Sequence, residues 1–444
     1  MKRLFYGIAG LFIFPLLLLS NTTFSLTLND CIELAYKNSP SLLSAKHNVE
    51  VASAKMGQAA SSVLPTISLS ASKGKNYSQP IMITLPPIFG GGTISTAPDE
   101  PSDVTSYSFN VQQSLFTGGK ILTAMSIAKS SYDMALLELK KTSQEVEYNV
   151  IKSYYEYLKL KKSLEITEST IKNLERNLQL TQILFNSGIA TETDLLRIKT
   201  AIANYSVAKI NLKNAMDISF LALESTIGVS LPRDTQLNDI LPEIETKNIP
   251  DQETVLETAF ENRPDYLSFK QALNVAKSAV NLAYSNYLPN IAFTYSAGNT
   301  KSLYNKNATY NTDLGNWRAM FVASWVLFDG FKSENQVREA FASLNAAKAQ
   351  ENALISAVKL DVESSYLSLF SAVEKVNAGK IASDLAYRTM KSVEISYSAD
   401  ITSRQYYLES QNAYNSSYTD YWNSRYDFEI AKAKLNKSVG KKII

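Results

Sequence analysis

The sequence predicts an internally duplicated protein of mixed α and β structure, in which long coiled helices continue into pairs of β-strands. Three observations predict this fold class. The two halves of the chain repeat one another. Residues Lys120–Ser187, about 68 in number, contain neither glycine nor proline, and the second half has a counterpart of similar length. Each half also carries two runs in which polar and apolar residues alternate.

Two sets of residues recur in the second half at constant distances. The first recurs 224 positions later: Ala35, Asn38, Pro40, Lys46, Ala52 and Pro65 return as Ala259, Asn262, Pro264, Lys270, Ala276 and Pro289. The second recurs 212 positions later: Leu115, Phe116, Gly118 and Lys120 return as Leu327, Phe328, Gly330 and Lys332. The first copy therefore holds an insert between Pro65 and Phe116. We predict two structural repeats, residues 26–245 and 246–444, because so long a period excludes an array of short repeats.

The N-terminus has the pattern of a secretion signal. Lys2 and Arg3 precede the almost entirely apolar stretch Leu4–Leu19, and small residues follow around Ser25. The alternative is an uncleaved membrane helix, but about 16 apolar residues are few for crossing a bilayer. We therefore predict a signal peptide over residues 1–25.

Composition argues against several classes of function. The chain has 44 basic and 42 acidic residues without a basic block, so we expect no nucleic-acid partner. A single histidine, His47, and a single cysteine, Cys31, leave no basis for an internal disulfide or a zinc site. No phosphate-binding loop or nucleophile elbow is present. We expect no cofactor and no enzyme activity, although sequence alone does not exclude a pair of catalytic carboxylates.

The predicted helices have lengths that fit together. A helix opening at Ser39-Pro40 runs to about Val63, and a returning helix follows Gly188 and ends near Ile227. At 1.5 Å per residue these two helices total about 90 Å, close to the roughly 100 Å of Lys120–Ser187. Stacked end to end, the two short helices match the long one. The second copy repeats the pattern with Lys332–Ser398 and a returning helix to Leu435.

The alternating runs predict two strand pairs, at about residues 66–116 and 290–328. Each run is about 8–12 residues long, which suits a tilted strand crossing an outer membrane. The alternative is a half-buried hairpin in a soluble protein. Residues 79–103, rich in proline and glycine, predict an irregular loop, which we place outside the cell.

Four strands in a bilayer leave two open edges, whose backbone N–H and C=O groups hydrocarbon cannot satisfy. Closure requires other chains. Three copies supply 12 strands, enough for a water-filled lumen, and cyclic symmetry is the usual way to close such an assembly. We therefore predict a homotrimer in contact with outer-membrane lipid.

Several motifs resemble the TolC-type outer-membrane efflux channel family over essentially the whole mature chain. They are AYKNSP (35–40) and its copy AFENRP (259–264), the junctions LFTGGK and LFDGFK, the turn FNSGIATETDLL, and the closing Gly228 and Gly440. The resemblance implies a trimeric α-barrel continuous with a 12-strand β-barrel, located in the outer membrane and extending into the periplasm. It also implies a closed periplasmic end that opens when a periplasmic adaptor and an inner-membrane transporter dock.

The resemblance further implies site residues. Thr193 and Asp194 match one side of a polar link that holds the helical hairpins shut, and Tyr397 matches the other. The family's second link uses an arginine where this chain has Thr402, with Arg404 two residues later. The remaining positions are Tyr406 and Glu409 as an entrance ring, Gly118, Gly119 and Gly330 at the strand-to-helix junctions, and Gly188 and Asp400 at the hairpin turns.

The function that the resemblance implies is a passive exit duct in a tripartite efflux or type I secretion system, gated at its periplasmic end. The alternative is a periplasmic coiled-coil adaptor or structural protein without a pore. Such adaptors usually carry one helical hairpin flanked by lipoyl-like β-domains, whereas this chain has two hairpins and no such domain. A secreted enzyme is disfavoured because no catalytic constellation is present.

Overall fold

A computed structural model describes residues 25–233, 235–242, 249–399 and 401–444. The predicted signal peptide, apart from Ser25, and the turn residue Asp400 lie outside the described residues. The predicted boundary between the repeats, at residues 245 and 246, also lies outside them and stays a prediction.

The described elements follow the predicted order closely. The strands are β1 (Ser25–Leu26), β2 (Thr66–Asn76), β3 (Met82–Leu85), β4 (Gly92–Ser95), β5 (Ser102–Phe116), β6 (Gln236–Leu237), β7 (Asn290–Tyr304) and β8 (Thr312–Ser324). The helices are α1 (Leu28–Asn38), α2 (Pro40–Ser61), α3 (Lys120–Asn186), α4 (Glu192–Ile227), α5 (Gln252–Asn262), α6 (Pro264–Tyr284), α7 (Lys332–Ser398) and α8 (Arg404–Val439).

The two strand pairs join into one antiparallel sheet of four strands in the order β2-β5-β7-β8. Thr66 pairs with Gln112, Phe109 with Ala297, and Phe293 with Phe321. The pairing is continuous apart from one irregularity near Ser114. The predicted four strands per chain are therefore confirmed, and the sheet leaves β2 and β8 as its two edges.

The helices form a wall with the same order as the strands. The long helix α3 packs against α2 and α4 on one side and against α6 and α8 on the other. The second long helix, α7, packs against α6 and α8. The wall of one chain therefore has four columns: α2 with α4, then α3, then α6 with α8, then α7. Each column continues the strand joined to it, so sheet and wall form one strip.

Two glycines explain why the short helices stack end to end. Gly228, at the C-terminus of α4, has φ +81°, and a Cβ there would lie 2.5 Å from the backbone oxygen of Asn38. Gly440 ends α8 in the same way, against Arg263 and Asn262. Only glycine permits both this left-handed backbone and this close approach. The recurring Asn-x-Pro and closing Gly motifs thus form the two joints between stacked helices.

A layer of smaller elements covers one face of the wall, and we call α1 together with the β1–β6 pair the belt. Strand β1 pairs in parallel with β6. Helix α1 lies before the first helix that the sequence clearly predicts and begins with a capping box between Thr27 and Asp30. Cys31 on α1 is fully buried in the apolar cluster formed with α3, as expected of a core residue. Its burial raises the pKa of the thiol to about 12.

The segment between β2 and β5 differs from the irregular loop that was predicted. Strands β3 and β4 form a small hairpin around a 3-10 turn at Pro87–Phe89. Its pairing sets Ile83 opposite Ile94. Such β-branched residues favour strands, and the proline and glycine of the turn hide this signal in the composition. The hydroxyl of Tyr77 donates a 2.7 Å hydrogen bond to Asp99, which ties the base of the segment together.

Across the residues that the structure describes, no helix combines the length and apolar character needed to cross a membrane.

Candidate gate at the ends of the helical hairpins

The first hairpin, α3 and α4, turns at Gly188, whose φ of +75° requires a left-handed residue. Thr191 then caps α4. Its hydroxyl donates to the Asp194 carboxylate at 2.7 Å, and the amide of Asp194 donates back to that hydroxyl at 3.3 Å. These hydrogen bonds from Thr191 hold the pKa of the Asp194 carboxyl below its ordinary value. Arg197 and Arg404 lower the same pKa further through their charge.

The second hairpin, α7 and α8, is tied to the first by Arg404. The Nε of Arg404 donates a 2.9 Å hydrogen bond to the hydroxyl of Tyr397 on α7. One terminal nitrogen of Arg404 donates to the hydroxyl of Thr181 on α3. Tyr397 also stacks on Tyr407 with 5.4 Å between ring centroids. A single guanidinium at the start of α8 thus contacts both long helices.

The structure does not bring the expected pair Asp194 and Tyr397 into a hydrogen bond within the described chain. The Asp194 carboxylate caps α4, and the Tyr397 hydroxyl accepts from Arg404 instead. Thr193 is exposed, and among the described residues its side chain makes no hydrogen bond. The reason is local. The Asp194 carboxylate accepts from both the backbone N–H and the hydroxyl of Thr191, the N-cap residue, and is therefore occupied.

Sequence reasoning did not identify Thr181 as part of this link. Thr181 belongs to a heptad seam of α3, formed by Ile171, Leu174, Leu178, Thr181 and Phe185. It is fully buried, and such a position is typical of a packing residue. Its hydroxyl also donates to the carbonyl of Asn177 at 2.6 Å. A polar residue at a seam position is the one signal in the sequence that could have drawn attention to it.

Further polar contacts join α4 to α8 away from the turns. Arg197 donates to the side chain of Gln405 at 3.2 Å, and Gln405 donates to Glu409 at 2.9 Å. Further along the same two helices, the hydroxyl of Tyr205 on α4 donates to the side-chain oxygen of Asn412 on α8 at 3.2 Å. Glu409 and Tyr406 are both exposed. Their role as an entrance ring stays a prediction, because it concerns neighbouring chains.

At the strand-to-helix junctions the predicted glycines have positive φ angles: +61° at Gly118, +86° at Gly119 and +68° at Gly330. A Cβ on Gly118 would lie 2.7 Å from the backbone oxygen of Ser285, so this position needs glycine for space as well as conformation. In the second copy Phe331 takes the place of Gly119, with φ +65°. Among the described residues it is the one non-glycine with positive φ, and its ring contacts Phe328 edge to face.

No group of three or more metal-ligating side chains occurs in the part of the chain that the structure describes. The arrangement at the hairpin ends joins helices through hydrogen bonds and charge.

Comparisons with known proteins agree with this architecture. The profile of the family described as "Outer membrane efflux protein" matches residues 31–229 and 255–441. The chain is 23% identical to "Alkaline protease secretion protein AprF" of Pseudomonas aeruginosa, over 99% of this chain and 89% of that protein. It is 22% identical to "Outer membrane protein TolC" of Vibrio cholerae, over 95% and 92% of the two chains.

The fold is also similar to solved structures. The Campylobacter jejuni CmeC outer membrane channel superposes with a TM-score of 0.80 at 16% identity, covering 94% of this chain and 86% of that one. The Vibrio cholerae outer membrane protein VceC gives a TM-score of 0.77 at 18% identity, covering 94% and 97%.

The family match covers most of the chain, so the protein belongs to the outer membrane efflux protein family. Its class is that of outer-membrane channels extending into the periplasm, and it is not an enzyme.

Proposed function

We propose that three copies of this chain close into one gated channel, which serves as the passive outer-membrane exit duct of a tripartite efflux or type I secretion system. The observation that supports this proposal is the four-column strip. Its strands and helices share one order, and the outer side of each edge strand has no pairing partner among the described residues. A strip whose strands lie in a membrane must close on further copies of itself.

Both sides of the strip carry exposed apolar side chains at helical spacing. On α4 they are Val207, Ile210, Ile218 and Leu221, each 58–68% exposed. On α7 they are Leu360, Leu367, Ile381 and Ile395, each 62–70% exposed. The steps of 3, 8 and 3 residues on α4 keep that set on one stripe of its helix. The steps of 7, 14 and 14 residues on α7 are whole heptads and keep the second set on one coiled-coil stripe. Two apolar stripes on opposite sides of one strip are complementary surfaces for a ring, since α7 of one copy would meet α4 of the next.

The size of such a ring suits a duct. Twelve helical columns at about 10 Å spacing give a circumference of about 120 Å. The helix axes then lie about 19 Å from the centre, and the side chains leave a lumen about 28 Å across. The β-barrel above it is formed by twelve strands, with β8 of one copy beside β2 of the next.

The gate in this proposal lies where the hairpins end. Arg404 holds the second hairpin to the first through Thr181, and its hydrogen bond to Tyr397 within the second hairpin orients the guanidinium, so breaking this link frees the hairpins to move apart. Asp194 and Thr193 lie on the neighbouring turn, where the family resemblance puts the partner of Tyr397. Glu409 and Tyr406 of three copies would line the narrowest passage.

The proposed partners are a periplasmic adaptor, which would engage the hairpin ends, and an inner-membrane transporter, which would supply the cargo. The relative AprF is named for secretion of alkaline protease, which favours a polypeptide exporter as one transporter class for this chain. A drug pump is the other class.

Channel formation is tested by reconstituting the detergent-purified protein in planar bilayers. We expect discrete conductance steps, together with heat-modified gel mobility and recovery in the outer-membrane fraction. A periplasmic adaptor or structural protein would give a soluble periplasmic fraction and no conductance, and that result would refute the channel.

A further inference from the structure

A cavity of about 280 Å³ lies between the belt and the wall, at the boundary of α1, α3 and α8. Leu28 and Ile32 of α1 and Ile151 and Tyr155 of α3 give it an apolar side. Residues 441, 442 and 444, after the end of α8, close another side. A concave apolar surface with a few converging charged groups is typical of a small-molecule site.

A buried carboxyl group, that of Glu429 on α8, lines this cavity. The residue is 7% exposed, and among the described residues its carboxylate accepts no hydrogen bond and forms no ion pair. Burial raises the pKa of this carboxyl group, because the charged form has lost its hydration. A carboxylate left in this state is destabilising unless a donor reaches it. Its position on the cavity wall is open to a donor supplied by a ligand.

The basic residues of the cavity fall into two groups. Lys442 pairs with Glu147 at 2.6 Å, and Lys437 lies over the ring of Tyr148. Lys432 and Lys441, in contrast, form no ion pair with any residue in the described ranges. The charges of Lys432 and Arg425 act on Glu429 and offset part of the rise in the pKa of its carboxyl group. The cavity therefore has two kinds of group without a direct polar partner among the described residues: one buried carboxylate and two ammonium groups.

Assembly would leave the cavity open. Helices α3 and α8 belong to the two inner columns of the strip, away from the sides that would meet neighbouring copies. The belt must also lie outside the ring. A layer of helices about 10 Å thick inside a lumen of about 14 Å radius would leave a passage only about 4 Å in radius. This placement rests on the proposed duct, and it makes the cavity accessible from the periplasm.

We propose that this cavity binds a small zwitterion with an apolar body, such as an aliphatic amino acid or a dipeptide. The ammonium group of the ligand meets Glu429, its carboxylate meets Lys432 and Lys441, and its side chain packs on Ile32 and Ile151. The complementarity is specific to molecules with both charges. A simple anion would meet Glu429 without offering it a donor, and a simple cation would face the two lysines.

Isothermal titration of the full-length protein in detergent tests the proposal with four probes: leucine, leucyl-leucine, N-acetyl-leucine and leucine amide. We expect leucine or leucyl-leucine to bind. Blocking the amine or the acid group should weaken binding about tenfold or more, because each block removes a hydrogen bond between charged groups. Absence of binding by all four probes at millimolar concentration overturns the proposal.

Variants separate the two charged groups. Glu429→Gln should bring the affinities for leucine and N-acetyl-leucine to within about threefold of each other, and Lys432→Ala should do the same for leucine and leucine amide. The matched controls on α8 are Asp420→Asn and Lys434→Ala, neither of which lines the cavity, and both should bind like the unmodified protein. If Glu429→Gln retains full discrimination against N-acetyl-leucine, the proposed site is wrong. The titration needs no channel activity, so its failure is distinguishable from failure of the proposed function.

Discussion

Replacing Arg404 with alanine should open the channel, because this residue joins the two helical hairpins. The guanidinium makes two hydrogen bonds, one to Tyr397 at 2.9 Å and one to Thr181. A hydrogen bond from a charged group is worth about 1.5–3 kcal/mol, and the half-buried position of Arg404 favours the lower end. Of these two, the bond to Thr181 crosses between the hairpins, because Tyr397 belongs to the same hairpin as Arg404. The loss is then about 1.5 kcal/mol per chain, which shifts the balance between joined and separated hairpins about tenfold.

Single-channel recordings in planar bilayers measure this shift. We expect Arg404→Ala to raise the open fraction and the mean conductance, and Tyr397→Phe to raise both by a smaller amount, because it loosens the guanidinium but leaves the hydrogen bond to Thr181. The matched control is Arg388→Ala on α7. Arg388 pairs with Asp384, four residues earlier on the same exposed helix face, and such a pair contributes about 0.3–0.5 kcal/mol. If Arg404→Ala conducts like Arg388→Ala, the link does not hold the gate.

A further variant tests the role of Asp194. Asp194→Ala removes the carboxylate half of the capping box of α4, at a cost of about 1 kcal/mol, but leaves the Arg404 link in place. Its increase in conductance should therefore be smaller than that of Arg404→Ala. An equal or larger increase would show that Asp194 contacts a closing partner on another chain.

Three other predictions concern the segment between β2 and β5, a helix joint and the proposed entrance. Deleting residues 80–101 should leave assembly intact, since they form a separate hairpin beyond the four-stranded sheet; loss of the assembled form on gels would contradict this. Gly228→Ala should lower the free energy of unfolding by at least about 2 kcal/mol through left-handed strain and contact with Asn38. Gly57→Ala, in open helical space, should instead stabilise by about 0.5–1 kcal/mol in the same denaturant series. Glu409→Gln should reduce cation preference and block by trivalent cations, because it removes a ring of charges; unchanged reversal potentials would place Glu409 outside the pore.

Much of the wall could be predicted from the sequence, because its signals are local or periodic. The long helix α7 spans Lys332–Ser398 as predicted, and α3 ends one residue before the predicted Ser187. Proline at Pro40 and Pro264 and glycine at Gly228 mark the ends of the short helices. The hairpin β3–β4 was missed because proline and glycine dominate its composition, although its strands pair over four residues each.

The candidate site was less predictable, because its contacts join residues far apart in sequence. Arg404 and Thr181 are separated by 223 positions. The short parallel pair β1–β6 likewise joins the start of the described chain to the segment between α4 and α5. The sequence around Asp194 predicts a capping-box role, whereas the family resemblance implies a link to Tyr397. Within one chain, the carboxylate of Asp194 makes the capping-box contact. Neither a local capping signal nor the periodicity of one sequence predicts the contacts between chains.

Native mass spectrometry of the protein in mild detergent tests the central claim most directly. In the proposed channel, the edges β2 and β8, which are unpaired among the described residues, and the apolar stripes on α4 and α7 meet neighbouring copies. We predict a species of three chains that persists until the detergent is exchanged for a denaturing one. A stable monomer that retains its full strand content by circular dichroism would contradict the account, because the open edges would then need no partner.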